Sequence, residues 1–179
     1  MNQGYRWPLV SLHWLTMLLI IAAYVIGILL DDMHLSPLKL KLFSWHKWLG
    51  MLVLALLPLR LLLHRLDGFD HTTGLRPWEA RGSQLAHAGL YLLMLAAPLL
   101  GWLQSSATGF QVVWFGVLPL PDLVGKDKAL ADLFKELHEG SVNLLLALIA
   151  LHAAAALYHQ YFRHDGVLAR MVPWLRSKT

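Results

Sequence analysis

Histidines are the residues of this sequence whose type and spacing could do chemistry. Ten occur in a chain of 179 residues that is 57% hydrophobic and has no cysteine. Two of them, His138 and His152, lie fourteen residues apart in one apolar stretch. On an α-helix this spacing returns to within about 40° of the same face and spans about 21 Å, so both imidazoles would face one direction at different depths. Imidazole binds haem, copper or zinc where thiolates are absent.

The lack of cysteine excludes several classes of protein. Disulfide scaffolds, iron–sulfur proteins, thiolate zinc sites and covalently attached c-type haem all need cysteine. The formal net charge is +4. The basic residues lie in short runs beside apolar segments and form no continuous stripe, which argues against nucleic-acid binding.

Four apolar stretches are long enough to cross roughly 30 Å of hydrocarbon as helices. We predict the spans near residues 8–30, 42–63, 84–105 and 137–161. The first is too long for the apolar core of a cleavable signal peptide, and no small-residue cleavage site follows it. Charged residues make up 15% of the chain, which is low for a soluble domain of this size. The predicted fold class is therefore an all-α membrane protein, a four-transmembrane-helix bundle in which residues 1–179 form one domain.

Positive charge predicts the orientation of these spans. Apart from Arg60 in span two, the arginines lie at the N-terminus, between spans two and three, and in the tail with Lys178. They are Arg6, Arg65, Arg76, Arg81, Arg163, Arg170 and Arg176. The opposite side holds only lysines, which are Lys39, Lys41, Lys47, Lys126, Lys128 and Lys135. By the positive-inside rule, both termini face the cytoplasm.

This orientation places histidines of different helices at matching depths. His13 lies about one and a half turns into span one, which starts on the cytoplasmic side, so it shares the level of His152. His46 lies just inside span two, which starts on the outer side, so it shares the level of His138. Two facing imidazole pairs, stacked along a bundle, are what two bis-histidine haems require. Zinc or copper is the alternative, but those metals favour clustered ligands with carboxylates nearby.

Small residues accompany the predicted ligands. Ala153–Ala156 follow one ligand directly, and Gly50 and Gly140 lie close in sequence to two others. A helix that carries an axial ligand must approach the flat haem closely, and large neighbouring side chains would prevent this. We interpret these residues as the space in which the haems lie.

Arg60 lies fourteen residues after His46, so it repeats the spacing found on span four. It would then face inward at the level of the inner haem. A buried arginine needs an anion, and a haem propionate would accept its hydrogen bonds. The alternative is that Arg60 extends towards the cytoplasm beside Arg65.

Two more histidines fall near the inner level. His87 lies just inside span three, and we favour a hydrogen bond to a propionate or to the backbone, with axial ligation as the alternative. His159 lies seven residues after His152, about 10 Å nearer the cytoplasm. It could donate a hydrogen bond to a quinone and relay protons. The alternative is an interfacial histidine in an aromatic belt.

The long connection between spans three and four is neither low-complexity nor strongly polar. The stretch WFGVLPLPDLV, residues 114–124, predicts an apolar segment that lies on the outer interface and closes over the bundle. The next stretch, KALADLFKELHEG, residues 128–140, predicts a helical run that enters the membrane as span four.

Taken together, these stretches resemble the bacterial cytochrome b561 family along essentially the whole chain. The similarity is carried by VSLHWL, WHKWLGMLVLALLPLRLLLHRL, AHAGLYLLMLAAPLLGWLQSSA, WFGVLPLP and LHAAAALYHQYF. The resemblance implies a four-helix bundle of the bacterial inner membrane with two haem b groups. It implies that the axial ligands are His13, His46, His138 and His152. Members exchange electrons with the quinone pool, and a superoxide oxidase branch passes electrons from periplasmic superoxide to ubiquinone, which favours His159 at the quinone site.

The resulting hypothesis is a membrane-bound oxidoreductase that carries electrons between a periplasmic one-electron donor, such as superoxide, and the quinone pool. Lysines and carboxylates nearly balance on the outer side, so attraction of superoxide would need local clustering of lysines. A second hypothesis is a haem b membrane anchor that passes electrons between a partner dehydrogenase or hydrogenase and quinone. A third is a transporter that binds metal or a small solute through the histidines.

Overall fold

Four long helices form almost all of the molecule. The computed structural model describes residues 5–68, 74–172 and 175. The helices are α1 (Trp7–Asp32), α2 (Pro37–Asp67), α3 (Pro77–Thr108) and α4 (Lys128–Tyr158). Each is long and apolar enough to cross a membrane. The predicted fold class, an all-α bundle with four spans, is confirmed, and the chain is a multi-pass membrane protein.

The helices are longer than the spans predicted from hydropathy. The first three exceed residues 8–30, 42–63 and 84–105 at both ends. The fourth begins nine residues before residue 137, so the predicted helical run before span four is confirmed. Hydropathy detects only the part of a helix that lies in hydrocarbon, whereas the polar turns at its ends continue the same backbone hydrogen bonding.

Local signals set the helix ends. Ser36 and Asp127 cap α2 and α4, since each side chain accepts a hydrogen bond from a backbone N–H of the first turn, at 3.2 Å and 3.0 Å. Gly68 and Gly109 follow α2 and α3 in the left-handed conformation, with φ of 65° and 80°.

An apolar layer fills the middle of the bundle. Its buried side chains come from α2, α3 and α4, and they are Val53, Leu57, Leu93, Met94 and Leu145. Leu19 and Ile20 of α1 pack against this layer. Because lipid is as apolar as these side chains, van der Waals packing stabilises the layer more than exclusion from water does.

This middle layer separates two levels of histidine. Leu145 lies seven residues from both His138 and His152 on α4. Val53 lies seven residues after His46 on α2. Seven residues are close to two helical turns, or about 10 Å, so these side chains share one face of each helix. The sequence therefore alternates polar and apolar levels along the inside of the bundle.

The connection between α3 and α4 contains a small hairpin. Strands β1 (Val113–Trp114) and β2 (Leu118–Pro119) pair antiparallel. Trp48 of α2 donates its indole N–H to the Val113 carbonyl at 2.7 Å. The Trp114 indole N–H in turn donates to the Trp48 carbonyl at 3.2 Å. The predicted apolar segment therefore lies against α2 as a hairpin, which two-residue strands are too short to reveal as a sequence pattern.

The end of α4 changes its geometry. A π-helical turn, His159–Arg163, continues α4 directly, and we call it the π-turn. A short 3₁₀ turn, Leu168–Arg170, follows. Trp14 of α1 donates its indole N–H to the Met171 carbonyl at 2.9 Å, which ties the segment after the π-turn to the start of the chain. Arg176 and Lys178, which were used to predict the orientation, lie outside the described residues.

Candidate functional site

One imidazole pair lies between α2 and α4. The ring centroids of His46 and His138 are 6.0 Å apart and the rings are nearly perpendicular, at 86°. His46 Nδ1 lies 2.9 Å from the Ala23 carbonyl of α1, and His138 Nδ1 lies 2.8 Å from the Ala97 carbonyl of α3. A carbonyl can only accept, so each Nδ1 carries the hydrogen and each Nε2 keeps a lone pair. Both rings are therefore in the tautomer that binds a metal through Nε2.

Two glycines allow the neighbouring helices to approach these rings. A Cβ atom at Gly101 of α3 would lie 3.2 Å from Cε1 of His138. A Cβ atom at Gly27 of α1 would lie 3.4 Å from Cε1 of His46. These glycines permit the short carbonyl contacts that orient the two rings. Sequence reasoning missed both glycines, because they do not lie on α2 or α4, the helices that carry His46 and His138.

Gly50 and Gly140, which the sequence analysis singled out, have more open surroundings than Gly27 and Gly101. A Cβ atom at Gly140 would meet nothing within 4 Å, and one at Gly50 would meet Pro98 at 3.9 Å. Of the four alanines 153–156, three are exposed and Ala156 is half-buried. Four consecutive residues point to most sides of a helix, so they cannot all lie beside one ligand. The interpretation of these small residues as space for a haem stays a prediction.

A second imidazole pair lies between α1 and α4, at the other level. The ring centroids of His13 and His152 are 6.3 Å apart. Arg60 of α2 places Nη2 2.8 Å from His13 Nδ1. The His87 ring of α3 contacts His152 edge to face, with centroids 5.2 Å apart. The Ser83 hydroxyl lies 3.3 Å from His87 Nδ1.

The spacing of each pair fits two ligands on opposite sides of one metal ion. A metal–imidazole bond is about 2.0 to 2.1 Å long, so two rings on opposite sides of one ion have centroids roughly 6.3 Å apart. The separations of 6.0 Å and 6.3 Å agree with this value. The separation of 5.2 Å between His87 and His152 is too short for two rings on opposite sides of one ion. Within residues 5–68, 74–172 and 175, no group of three or more His, Cys, Asp or Glu side chains could hold a metal.

The helices that carry the paired histidines are not the ones that pack most closely together. The closest backbone packing joins α1 to α2 and α3 to α4, and α2 also contacts α3. In the part of the chain that the structure describes, α4 is not closely packed against α1 or α2. These are the helices whose histidines face each other, so side chains rather than backbones meet at both levels.

Arg60 lacks an anionic partner. Its Nε atom is buried and makes no hydrogen bond to any described residue. Its guanidinium carbon lies 5.6 Å from the centre of the Tyr91 ring. No described Asp or Glu forms a salt bridge with it. A half-buried cation beside an imidazole needs a carboxylate or other anion, and a haem bound by His13 and His152 would supply its propionates.

A sequence profile of the prokaryotic cytochrome b561 family matches residues 4–174 of this chain. The chain belongs to that family. Haem b is the cofactor of cytochromes b561, and the donor set here, imidazoles with no thiolate, fits it. The chain is thus a haem b electron-transfer protein of the membrane.

Named relatives in the cytochrome b561 family cover nearly the whole chain. Cytochrome b561 homolog 1 of Escherichia coli (strain K12) is 32% identical over 92% of this chain and 94% of its own length. A probable superoxide oxidase CybB of Yersinia pestis is 28% identical over 99% of this chain and 100% of its own length. Cytochrome b561 homolog 2 of E. coli is 25% identical over 96% and 93%.

The π-turn of this cytochrome b561 places His159 away from the two ring pairs. Its ring packs edge to face on Tyr158, and Nδ1 lies 2.6 Å from Oδ2 of Asp165. The neighbouring Gln160 has a buried Oε1 atom with no hydrogen bond to a described residue. Asp165 was missed by sequence reasoning, because a carboxylate in a polar segment after a helix is ordinarily solvated.

Proposed function

We propose that the chain binds two haem b groups and carries electrons across the bacterial inner membrane, from superoxide as the periplasmic one-electron donor to ubiquinone. The axial ligands would be His13 and His152 for the inner haem and His46 and His138 for the outer haem. The observation that carries the proposal is the presence of two imidazole pairs, at 6.3 Å and 6.0 Å, on two levels of one bundle.

Haem supplies a reversible one-electron couple at its iron when it is bound. The residues of the chain hold and orient it. The hydrogen bonds from His46 and His138 to the Ala23 and Ala97 carbonyls fix the orientation and the tautomer of both rings. The middle layer around Leu145 keeps water out of the space between the two levels.

The residues near the inner level would have supporting roles. Arg60 would pair with a propionate, as its unpartnered buried Nε suggests. His87 would pack against the proposed ligand His152 without binding iron, since its ring lies too close for the two rings to be on opposite sides of one ion. His159 would donate a hydrogen bond to ubiquinone and pass protons to it.

The identity of the electron donor and the orientation of the chain in the membrane are supported by different observations. Superoxide is favoured by the name of the Y. pestis relative, a probable superoxide oxidase. The arginine distribution supports cytoplasmic termini. With that orientation the His46 and His138 pair lies on the periplasmic side, where superoxide would arrive, and His159 lies near the cytoplasm.

The test is a count of haem per polypeptide. We expect two haem b groups in the purified wild type and one or none in each of His13→Ala, His46→Ala, His138→Ala and His152→Ala. His34→Ala is the control, because this side chain is exposed and should leave two haems. Two haems in any of the four variants would remove that residue from the ligand set, and a colourless wild type would end the proposal.

A second measurement addresses the reaction. We expect the purified polypeptide alone to reduce a short-chain ubiquinone when superoxide is generated in solution. If it contains two haems but reduces quinone only with a partner dehydrogenase or hydrogenase, the anchor-subunit alternative replaces this reaction.

A further inference from the structure

We propose that Asp165 is a positioning residue for quinone reduction: it holds the imidazole of His159 so that Nε2 faces the quinone oxygen. This inference rests on the proposed function, which places the quinone at His159. Neither the imidazole pairs nor Arg60 can position the His159 ring, so we assign this role to Asp165.

The contact itself fixes the protonation pattern of the ring. His159 Nδ1 lies 2.6 Å from Asp165 Oδ2. The side chains are 12% and 19% exposed, so water competes weakly for this bond. A carboxylate only accepts, so Nδ1 carries the hydrogen. Nε2 is then the nitrogen that can take up or release a proton.

Asp165 is itself held on several sides. Its Oδ1 accepts a hydrogen bond from the Val167 backbone N–H at 3.3 Å. Its Oδ2 lies 3.9 Å from Nε of Arg163 in the π-turn. The other end of the Arg163 guanidinium lies 3.6 Å from Glu79, which is buried in the first turn of α3. Arg163 thus links the Asp165 carboxylate to Glu79 of α3. A solvated aspartate would lack such a connection.

The backbone is shaped to bring this carboxylate back to the ring. The π-turn widens the end of α4, and single π-turns occur frequently at functional sites. His164 then adopts the left-handed conformation, with φ of 51°, which is uncommon for a residue other than glycine. This reversal returns Asp165 to His159 six residues earlier in the chain. Strained backbone of this kind persists where the surrounding contacts require it.

One ubiquinone takes up two electrons, which superoxide supplies in two one-electron steps as it becomes dioxygen, and two protons. Protonated His159 gives the hydrogen on Nε2 to the quinone oxygen that it faces, and an O–H bond forms as the N–H bond breaks. Asp165 keeps the hydrogen on Nδ1, so the ring becomes neutral without turning. Water reprotonates Nε2, and the second quinone oxygen takes its proton from water.

The experiment compares Asp165→Asn with the wild type, both purified with full haem content, in the reduction of a short-chain ubiquinone by superoxide. An asparagine can donate its amide hydrogen to Nδ1 and so favour the wrong tautomer. We expect kcat to fall about tenfold or more while KM stays within about twofold, since the change affects proton delivery and not binding. Haem reduction by dithionite should be unchanged.

Two further variants complete the design. Asp165→Glu retains a carboxylate and should recover much of the lost kcat. Glu139→Gln is the matched control, because Glu139 is an exposed carboxylate of α4 whose ion pair with Lys135 is open to water. It should leave kcat unchanged. If Asp165→Asn fails to retain haem, Asp165→Ser takes its place in the comparison.

The outcomes separate the two proposals. A wild type that holds two haems but reduces no ubiquinone would refute the proposed reaction, and this inference with it. An active wild type with equal kcat in Asp165→Asn would overturn the inference alone. Equal kcat in Asp165→Glu and Asp165→Asn, or a loss confined to KM, would also overturn it.

Discussion

Arg60 donates a hydrogen bond from Nη2 to Nδ1 of His13, at 2.8 Å. A guanidinium cannot accept, so in this contact Nδ1 holds the lone pair and Nε2 holds the hydrogen of the neutral ring. Iron ligation through Nε2 needs the opposite tautomer. For the proposed inner haem to bind through Nε2 of His13, Arg60 would have to leave Nδ1, and a propionate is the anion with which it would then pair.

The first prediction follows from this exchange. Arg60→Gln removes the cation that would pair with a propionate, so affinity for the inner haem should fall by about tenfold to a hundredfold, as expected for loss of a charged hydrogen bond. Haem per polypeptide, measured during dilution in detergent, should fall from two towards one. Arg65→Gln is the control, because Arg65 lies on the same helix and is exposed. Equal haem retention in both variants would exclude the propionate role.

The second prediction concerns His87. Its ring lies 5.2 Å from that of His152, closer than the roughly 6.3 Å expected for rings on opposite sides of one iron. His87→Ala should therefore retain two haems. The reduced-minus-oxidised spectrum should show a small shift in the inner haem band, because a packing contact with its ligand is lost. A drop to one haem would make His87 a ligand and would displace His13 from that role.

The sequence predicted those features that follow from helical periodicity. The fourteen-residue spacing of His138 and His152, combined with span direction, predicted which histidines would meet, and the structure brings both pairs together. The sequence could not identify Gly27 or Gly101, because each glycine matters through its close approach to a histidine ring on another helix. The contact between Asp165 and His159 depends on the π-turn and on the left-handed conformation of His164. Neither feature has a periodic pattern in the sequence.

The third prediction tests the close approach at Gly101. A Cβ atom there would lie 3.2 Å from His138, so Gly101→Ala should displace the ring from its bond to the Ala97 carbonyl. Overpacking of this kind costs about 1 to 3 kcal/mol. We expect partial loss of the outer haem and a lower Tm.

Gly140→Ala provides the control for that substitution. It lies on α4 two residues after His138, and an added Cβ would meet nothing within 4 Å. Helix propensity alone should stabilise this variant by up to about 1 kcal/mol. Haem loss of equal size in the two variants would show that contact with the ring is not the cause.

The fourth prediction uses the absence of cysteine from the sequence, because a single introduced thiol is then the only one that can react. Gly82 and Gly125 are both exposed, and an added Cβ at either would meet nothing within 4 Å. Gly82 lies near the start of α3, on the arginine-rich side, and Gly125 lies just before α4, on the lysine side. If both termini are cytoplasmic, a membrane-impermeant maleimide should label Gly125→Cys in intact spheroplasts and Gly82→Cys only after the membrane is permeabilised. The reverse pattern would place His159 in the periplasm, where ubiquinone protonation would draw on the opposite side of the membrane.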